Sequence, residues 1–185
     1  MQAYETTLTA NRPLTKVFGL LGSVALALAI QSFGWSQAVT GVLINALLLT
    51  TATWLGLPQA IILGMVTPLG AALRGVLPLP MVVMIPFIAL GNAVLVSVYT
   101  ALSGRNRAWG LVAGAVAKFA VLFGSVTLLQ FAPLTLTVGT TANTVAIPAA
   151  LATMMSWPQL ATALGGGLLV QGVALLNNRL ARRSK

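Results

Sequence analysis

The chain has 185 residues, of which 58% are hydrophobic and 6% are charged, whereas an ordinary soluble domain has about 25% charged residues. It contains one acidic residue, Glu5, and neither His nor Cys. This composition excludes disulfides and leaves almost no material for protein-ligated metals, Ser-His-Asp triads or carboxylate catalysis. The net charge of +9 does not indicate nucleic-acid binding, because the cations lie at predicted helix ends rather than on a basic face.

Six apolar runs predict membrane-spanning helices. A span takes about 20 mostly apolar residues, so the chain has room for six of them in a single domain over residues 1–185. The predicted fold is therefore an all-α membrane protein, a bundle of six transmembrane helices. The spans are expected at about 16–33, 37–55, 59–77, 81–102, 109–129 and 158–176.

Two segments depart from a plain apolar helix. Thr67-Pro68 lies inside the third span, where a proline kinks the helix and frees backbone groups. Residues 131–157 are rich in Thr and irregular. They predict a long loop between helices five and six, with a short helix packed over the mouth of the bundle.

The basic residues predict the orientation. They form three groups, and six spans place all three groups on the same side of the membrane: Arg12 and Lys16; Arg105 and Arg107; Arg179, Arg182, Arg183 and Lys185. Because cytoplasmic loops are enriched in Lys and Arg, both termini are expected to be cytoplasmic.

Two cations are candidates for binding an anion. Lys118 lies about ten residues into the fifth span, where a charge costs at least about 2.5 kcal/mol on insertion scales and should therefore face protein or a watery cavity. It could instead extend towards the cytoplasmic surface or donate to helix carbonyls. Arg74, near the outer end of the third span, could hold a carboxylate or phosphate or simply touch lipid headgroups.

Amides and a tryptophan complete the candidate substrate-binding set. Asn45 and Asn92 lie inside spans two and four, where they could bind a ligand or hydrogen-bond between helices. Asn143, Trp157 and Gln159 occupy the long loop and the start of the last span, and amides beside an aromatic ring are common in small-molecule sites. Trp157 could equally be an interface anchor.

Small residues recur at two places. Gly22, Ala25 and Ala29 share a face of the first span, and such spacing lets another helix approach closely. The run Gly165-Gly166-Gly167 is a close-packing or bending element. The sequence does not indicate a phosphate-binding role for it, since the Lys-Ser/Thr of a P-loop is absent.

The order of these segments resembles the substrate-binding subunits, or S components, of energy-coupling factor (ECF) transporters. The resemblance covers residues 16 to about 177. It is carried by TGVLINALLL, GMVTPLGAALRGVLPLP, MIPFIALGNAVLV, GAVAKFAVLF and SWPQLATALGGGL. The AxxxA motif that the family places in its first helix matches Ala25 and Ala29.

The resemblance implies a non-enzymatic subunit of an importer in a prokaryotic plasma membrane. Its pocket would face outward, lined by loops one, three and five and the outer halves of helices four to six. A transmembrane coupling subunit, docked on the Ala25–Ala29 face, and two cytoplasmic ATPases would supply the energy, so ATP is no cofactor of this chain. Nickel and cobalt members use an N-terminal Met-His pair, which is missing here, and the cations favour an anionic or neutral vitamin-like substrate.

Other classes remain open on the residues alone. The chain could be a structural or assembly subunit of a membrane complex, with Arg74 and Lys118 paired to partner groups. A membrane enzyme acting on lipid or prenyl groups is disfavoured, because the sequence has no Asp-rich metal motif and no general base. A secondary transporter would have to work without the intramembrane carboxylates that often couple protons.

Overall fold

The computed structural model describes residues 13–73, 82–132, 134–138, 141–145 and 147–183; in the two five-residue segments, and at positions 151, 178 and 183, the backbone alone is described. Within these ranges the protein is a bundle of long apolar helices, which confirms the predicted all-α membrane fold. The helices are α1 (Pro13–Ser32), α2 (Gln37–Trp54), α3 (Leu57–Leu73), α4 (Ile85–Ser103), α5 (Arg107–Phe131), the short α6 (Ala149–Met154) and α7 (Trp157–Arg183).

Five of these helices are long and apolar enough to cross a membrane, namely α1, α2, α4, α5 and the region of α7. The third, Leu57–Leu73, is apolar but shorter at 17 residues. Its described part stops at Leu73, and the residues up to the predicted boundary at 77 lie outside the described ranges. The last helix runs seven residues beyond the predicted boundary at 176, because the basic tail continues it to Arg183.

The segment between α5 and α7 is more ordered than the predicted loop. It contains an antiparallel hairpin of β1 (Leu134–Val138) and β2 (Thr141–Val145), with Leu134 opposite Val145 and Val138 opposite Thr141. The sequence of β1, LTLTV, alternates apolar and β-branched polar residues, which is the period-two pattern of a strand. The expected short helix is present as α6.

The helices pack in neighbouring pairs: α4 along α5, α2 along α7 and α3 along α4. Glycines permit two of these approaches. An added Cβ on Gly166 would lie 2.7 Å from the backbone of α2 at Val42 O, and one on Gly114 would lie 2.9 Å from the backbone of α4 at Leu95 O. Gly166 therefore has the close-packing role that its glycine run predicted.

The two ends of the bundle are built from different helix termini. At one end, the start of α5 packs against the end of α4, since a Cβ added on Gly110 would lie 2.9 Å from Ser103 N. At the same end α7 contacts α5, because Gln171 donates to Arg107 O at 3.4 Å. We call this the basic end, because four exposed arginines lie on the helix termini that form it or in the turn between them: Arg105, Arg107, Arg179 and Arg182.

Candidate functional site

Lys118 is the only charged side chain that is buried in the described part of the chain, with 3% of its surface exposed. Its Nζ donates to Asn45 Oδ1 at 2.7 Å and to Asn92 Oδ1 at 2.8 Å. The lysine of α5 thereby links α2 to α4. The alternative that Lys118 extends towards the cytoplasmic surface is wrong, because its Nζ is held in the bundle by these two amides.

Asn92 is oriented by the proline of α3. Pro68 has no backbone N–H, so the carbonyl of Gly64, four residues earlier, lacks its usual helical donor. Asn92 Nδ2 donates to that carbonyl at 3.0 Å and also lies 3.3 Å from Thr67 Oγ1. With its nitrogen fixed in this way, Asn92 turns its oxygen towards Lys118.

Asn45 is held in a similar way from the other side. Its Nδ2 donates to Gly41 O at 2.8 Å and lies 3.4 Å from Thr162 Oγ1 of α7. Thr162 in turn donates to Gln159 O at 3.2 Å. The polar cluster around Lys118 therefore joins α2, α3, α4, α5 and α7.

Gln31 connects α1 to the same cluster. Its side chain is 7% exposed, and Nε2 donates to Thr67 O at 3.2 Å. Its Oε1 is buried and has no hydrogen-bond partner, and it is the one such side-chain atom found among the described residues.

These side chains line a cavity of about 350 Å³. Its polar lining includes Gln31, Gln37, Thr40, Asn45, Asn92 and Lys118, and its apolar lining includes Ile44, Pro68, Ala71, Ile88, Met154 and Met155. They come from the second halves of α1 and α3, the first halves of α2 and α4, the middle of α5, and the end of α6 with the residue after it. The cavity therefore lies towards the end of the bundle opposite the basic end.

None of the described residues that line this cavity carries a carboxylate that could neutralise Lys118. The only acidic residue of the chain is Glu5, which precedes the described residues, and no group of three or more His, Cys, Asp or Glu occurs within them. The site combines a buried cation, fixed amides and apolar walls. Chemically, this arrangement can hold an anionic or polar group of a small molecule and enclose its apolar part.

The structure brings together four of the predicted substrate-binding residues: Lys118, Asn45, Asn92 and Gln159 all line the cavity. The interpretation of the two asparagines as hydrogen bonds between helices is also confirmed. Trp157 does not line this cavity; it is 71% exposed, with its ring 5.9 Å from that of Phe119.

Two predicted residues lie outside the description. Arg74 follows Leu73, the last described residue of α3, and Asn143 belongs to β2, of which the backbone alone is described. The predicted docking face of α1 is described: Gly22, Ala25 and Ala29 are all exposed.

Three residues of the polar cluster are not among the predicted site residues: Gln31, Thr67 and Thr162. Gln31 carries a usable signal, since an amide at the end of an apolar run needs a polar partner. Thr67 precedes Pro68 and its carbonyl faces Gln31, but nothing in the sequence indicates that α1 and α3 meet there. Nothing in the sequence around Thr162 distinguishes it from other threonines in membrane helices.

Comparisons with protein-family models, with curated proteins and with solved structures found no match.

Proposed function

We propose that this chain is the substrate-binding subunit of an ECF-type importer, which captures a small, anionic or neutral, vitamin-like molecule and delivers it with partner subunits. The observation that carries the proposal is the cavity around Lys118. In it a buried cation is fixed by Asn45 and Asn92 at 2.7 and 2.8 Å, and none of the described lining residues is acidic.

The size and lining of the cavity support a small-molecule ligand. Ligand sites usually have volumes of about 300–1,000 Å³ and combine mostly apolar walls with a few placed polar groups. The cavity of about 350 Å³ is at the small end of this range and mixes methionine and isoleucine side chains with amides and one lysine. A molecule of the size of a vitamin or a vitamin precursor suits such a volume.

The position of the cavity supports capture from outside the cell. The exposed arginines lie at the opposite end of the bundle, and positively charged ends face the cytoplasm. In this orientation both termini are cytoplasmic and the cavity faces outward in a prokaryotic plasma membrane. The ligand would reach it past α6, whose end contributes Met154.

The exposed face of α1 supports a partner subunit. Gly22, Ala25 and Ala29 are exposed on it, and small residues allow another membrane helix to approach closely. In the proposed importer this face contacts the transmembrane coupling subunit, and two cytoplasmic ATPases use ATP to drive delivery. The chain itself acts as a binding protein rather than an enzyme.

A structural or assembly subunit is the second candidate. One observation favours it: Lys118 already has two amide partners, so the cluster could serve to hold helices together without any ligand. This candidate predicts that the isolated protein binds no small molecule.

Native mass spectrometry of the detergent-purified chain, expressed in rich medium, separates the two candidates. A bound species of defined small mass, retained through purification, is the result that the importer proposal predicts. A protein that stays empty after incubation with a panel of vitamins and vitamin precursors would contradict it and favour the structural subunit.

A further inference from the structure

We propose that Gln31 recognises the ligand, and that the molecule taken by the cavity is a small acid that also carries a separate N–H or O–H donor. Its anionic group would bind Lys118 and its donor would bind Gln31 Oε1. This inference rests on the proposed binding function and narrows the class of substrate.

The first step is the unpaired oxygen. Gln31 is 7% exposed and lines the cavity, yet its Oε1 has no partner among the described residues. Buried polar atoms of native proteins almost always have a hydrogen-bond partner, so an exception calls for an explanation. A ligand donor in the adjoining cavity supplies one.

The second step is the identity of the atom. The other end of the amide faces Thr67 O at 3.2 Å. A carbonyl oxygen can accept but not donate, so the atom facing Thr67 must be the nitrogen. The unpaired atom is therefore the oxygen, and a ligand can pair with it only by donating an N–H or O–H.

The third step is the remaining donor capacity of Lys118. An ammonium group has three N–H donors, and two of them go to Asn45 and Asn92. The third is free to donate to an anionic oxygen of a ligand. The cavity thus has a cationic donor on α5, and Gln31 on α1 lines it with an amide whose oxygen has no partner among the described residues. That oxygen is fully covered, so a ligand donor reaches it when the Gln31 side chain turns into the cavity.

Lys118 and Gln31 together make the cavity selective for acids that also carry a hydrogen-bond donor. A simple alkyl or fatty acid could satisfy Lys118 but would leave Gln31 Oε1 buried and unpaired. Sites built around a hydrogen bond reject analogues that lack it, because their own buried group stays unsatisfied. We therefore expect acids with a hydroxyl, an amide N–H or a ring N–H to bind roughly tenfold to a hundredfold more tightly than their methylated counterparts.

The test uses matched pairs of acids that differ by one methyl group on the donor. The probes are 4-hydroxyphenylacetate with 4-methoxyphenylacetate, indole-3-acetate with 1-methylindole-3-acetate, and N-benzoylglycine with N-benzoylsarcosine. Each is titrated to millimolar concentration into the purified full chain, and binding is read by native mass spectrometry and by thermal shift.

The variants are Gln31→Met and a matched control, Gln171→Met. Gln171 also donates to a backbone carbonyl of another helix, Arg107 O at 3.4 Å, but it lies at the basic end, away from the cavity. We expect the wild type and Gln171→Met to prefer the unmethylated acids, and Gln31→Met to bind both members of a pair equally. If Gln31→Met does not fold, the test is whether the wild-type protein prefers the unmethylated acids over their methylated counterparts.

Two results would overturn the inference, and they differ in what else they affect. In the first, the wild type binds both members of each pair with equal affinity, or Gln31→Met still prefers the unmethylated acids. Either outcome contradicts the role of Gln31 and leaves the proposed binding function standing. If none of the six acids binds at all, both the inference and the proposed capture of an acid are contradicted.

Discussion

At the scale of single residues, one lysine sets the chemistry of the cavity. An isolated charge is expensive inside a membrane protein, and the usual solution is a partner of opposite charge. Here two amide oxygens take that place, and amides carry no net charge. Among the described residues, Lys118 is therefore paired with neutral dipoles and has no counterion, and this is why we propose that it binds an anion.

Asn92→Asp tests this charge argument. The carboxylate would keep an oxygen beside Lys118, at the loss of the hydrogen bond from Asn92 Nδ2 to Gly64 O. It would add the negative charge that the described cavity lining lacks, so an acid ligand would compete with an internal counterion. We expect the affinity for whichever acid probe binds the wild type to fall at least about tenfold.

The matched control for that variant is Asn177→Asp, because Asn177 is exposed near the end of α7 and the net charge changes equally. Its affinity should equal that of the wild type. Equal weakening by both variants in the same titration would show that overall charge, rather than the pairing at Lys118, governs binding.

At the scale of helices, two features determine where the site lies: the close contact of α7 with α2, and the proline that interrupts the helical hydrogen bonds of α3. Pro68 frees the Gly64 carbonyl that orients Asn92, and Gly166 lets α7 approach the α2 backbone near Asn45. The polar cluster thus depends on two local features of helices that contribute no charge themselves.

Gly166→Ala should destabilise the bundle. The added Cβ would lie 2.7 Å from Ala46 N and Val42 O, and backbone atoms cannot move aside as a side chain does. We expect a loss of about 1–3 kcal/mol in the free energy of unfolding, seen as a lower midpoint of thermal unfolding in detergent. Gly172→Ala on the same helix meets nothing within 4 Å, and a similar loss there would refute the packing argument.

Ala29→Trp tests the proposed docking face of α1. Ala29 is exposed, so the bulky ring should leave the fold and the bound small molecule intact while blocking a partner helix. We expect fewer partner subunits to co-purify with the tagged chain from native membranes.

Ala120→Trp is the control for that experiment, since Ala120 is exposed on α5 and should not affect co-purification. Loss of the small molecule from Ala29→Trp would instead assign this face to the folded core. Unchanged recovery of partners would rule out docking on α1.

At the scale of the whole molecule, the bundle has a basic end and a cavity end, and orientation follows from this asymmetry. The chain contains no Cys, so single cysteines report topology without interference. Gln37→Cys at the cavity end should react with a membrane-impermeant maleimide in intact cells. Gly104→Cys, in the turn between α4 and α5, should react only after permeabilisation, and the reverse pattern would invert the proposed orientation.

Much of this architecture could be predicted from the sequence, for identifiable reasons. Long apolar runs bounded by turns locate the helices. A lysine in such a run is predicted either to face protein or a watery cavity or to extend towards the surface, and the structure shows that Lys118 is buried. The partners themselves could not be deduced, because Asn45, Asn92 and Gln31 lie far apart in the chain and meet only through helix packing. The hairpin differs from the predicted loop: the Thr-rich composition favours a loop, whereas the alternation in LTLTV is typical of a strand.

Binding of a small molecule at Lys118 is the central claim, and one comparison tests it most directly. Native mass spectrometry would be run on the wild type, Lys118→Met and Arg105→Met, all expressed in rich medium; Arg105 is an exposed cation in the turn between α4 and α5, away from the cavity. We predict a bound species of the same small mass on the wild type and Arg105→Met and its loss from Lys118→Met. A species retained by folded Lys118→Met, or lost equally from both variants, would contradict the claim.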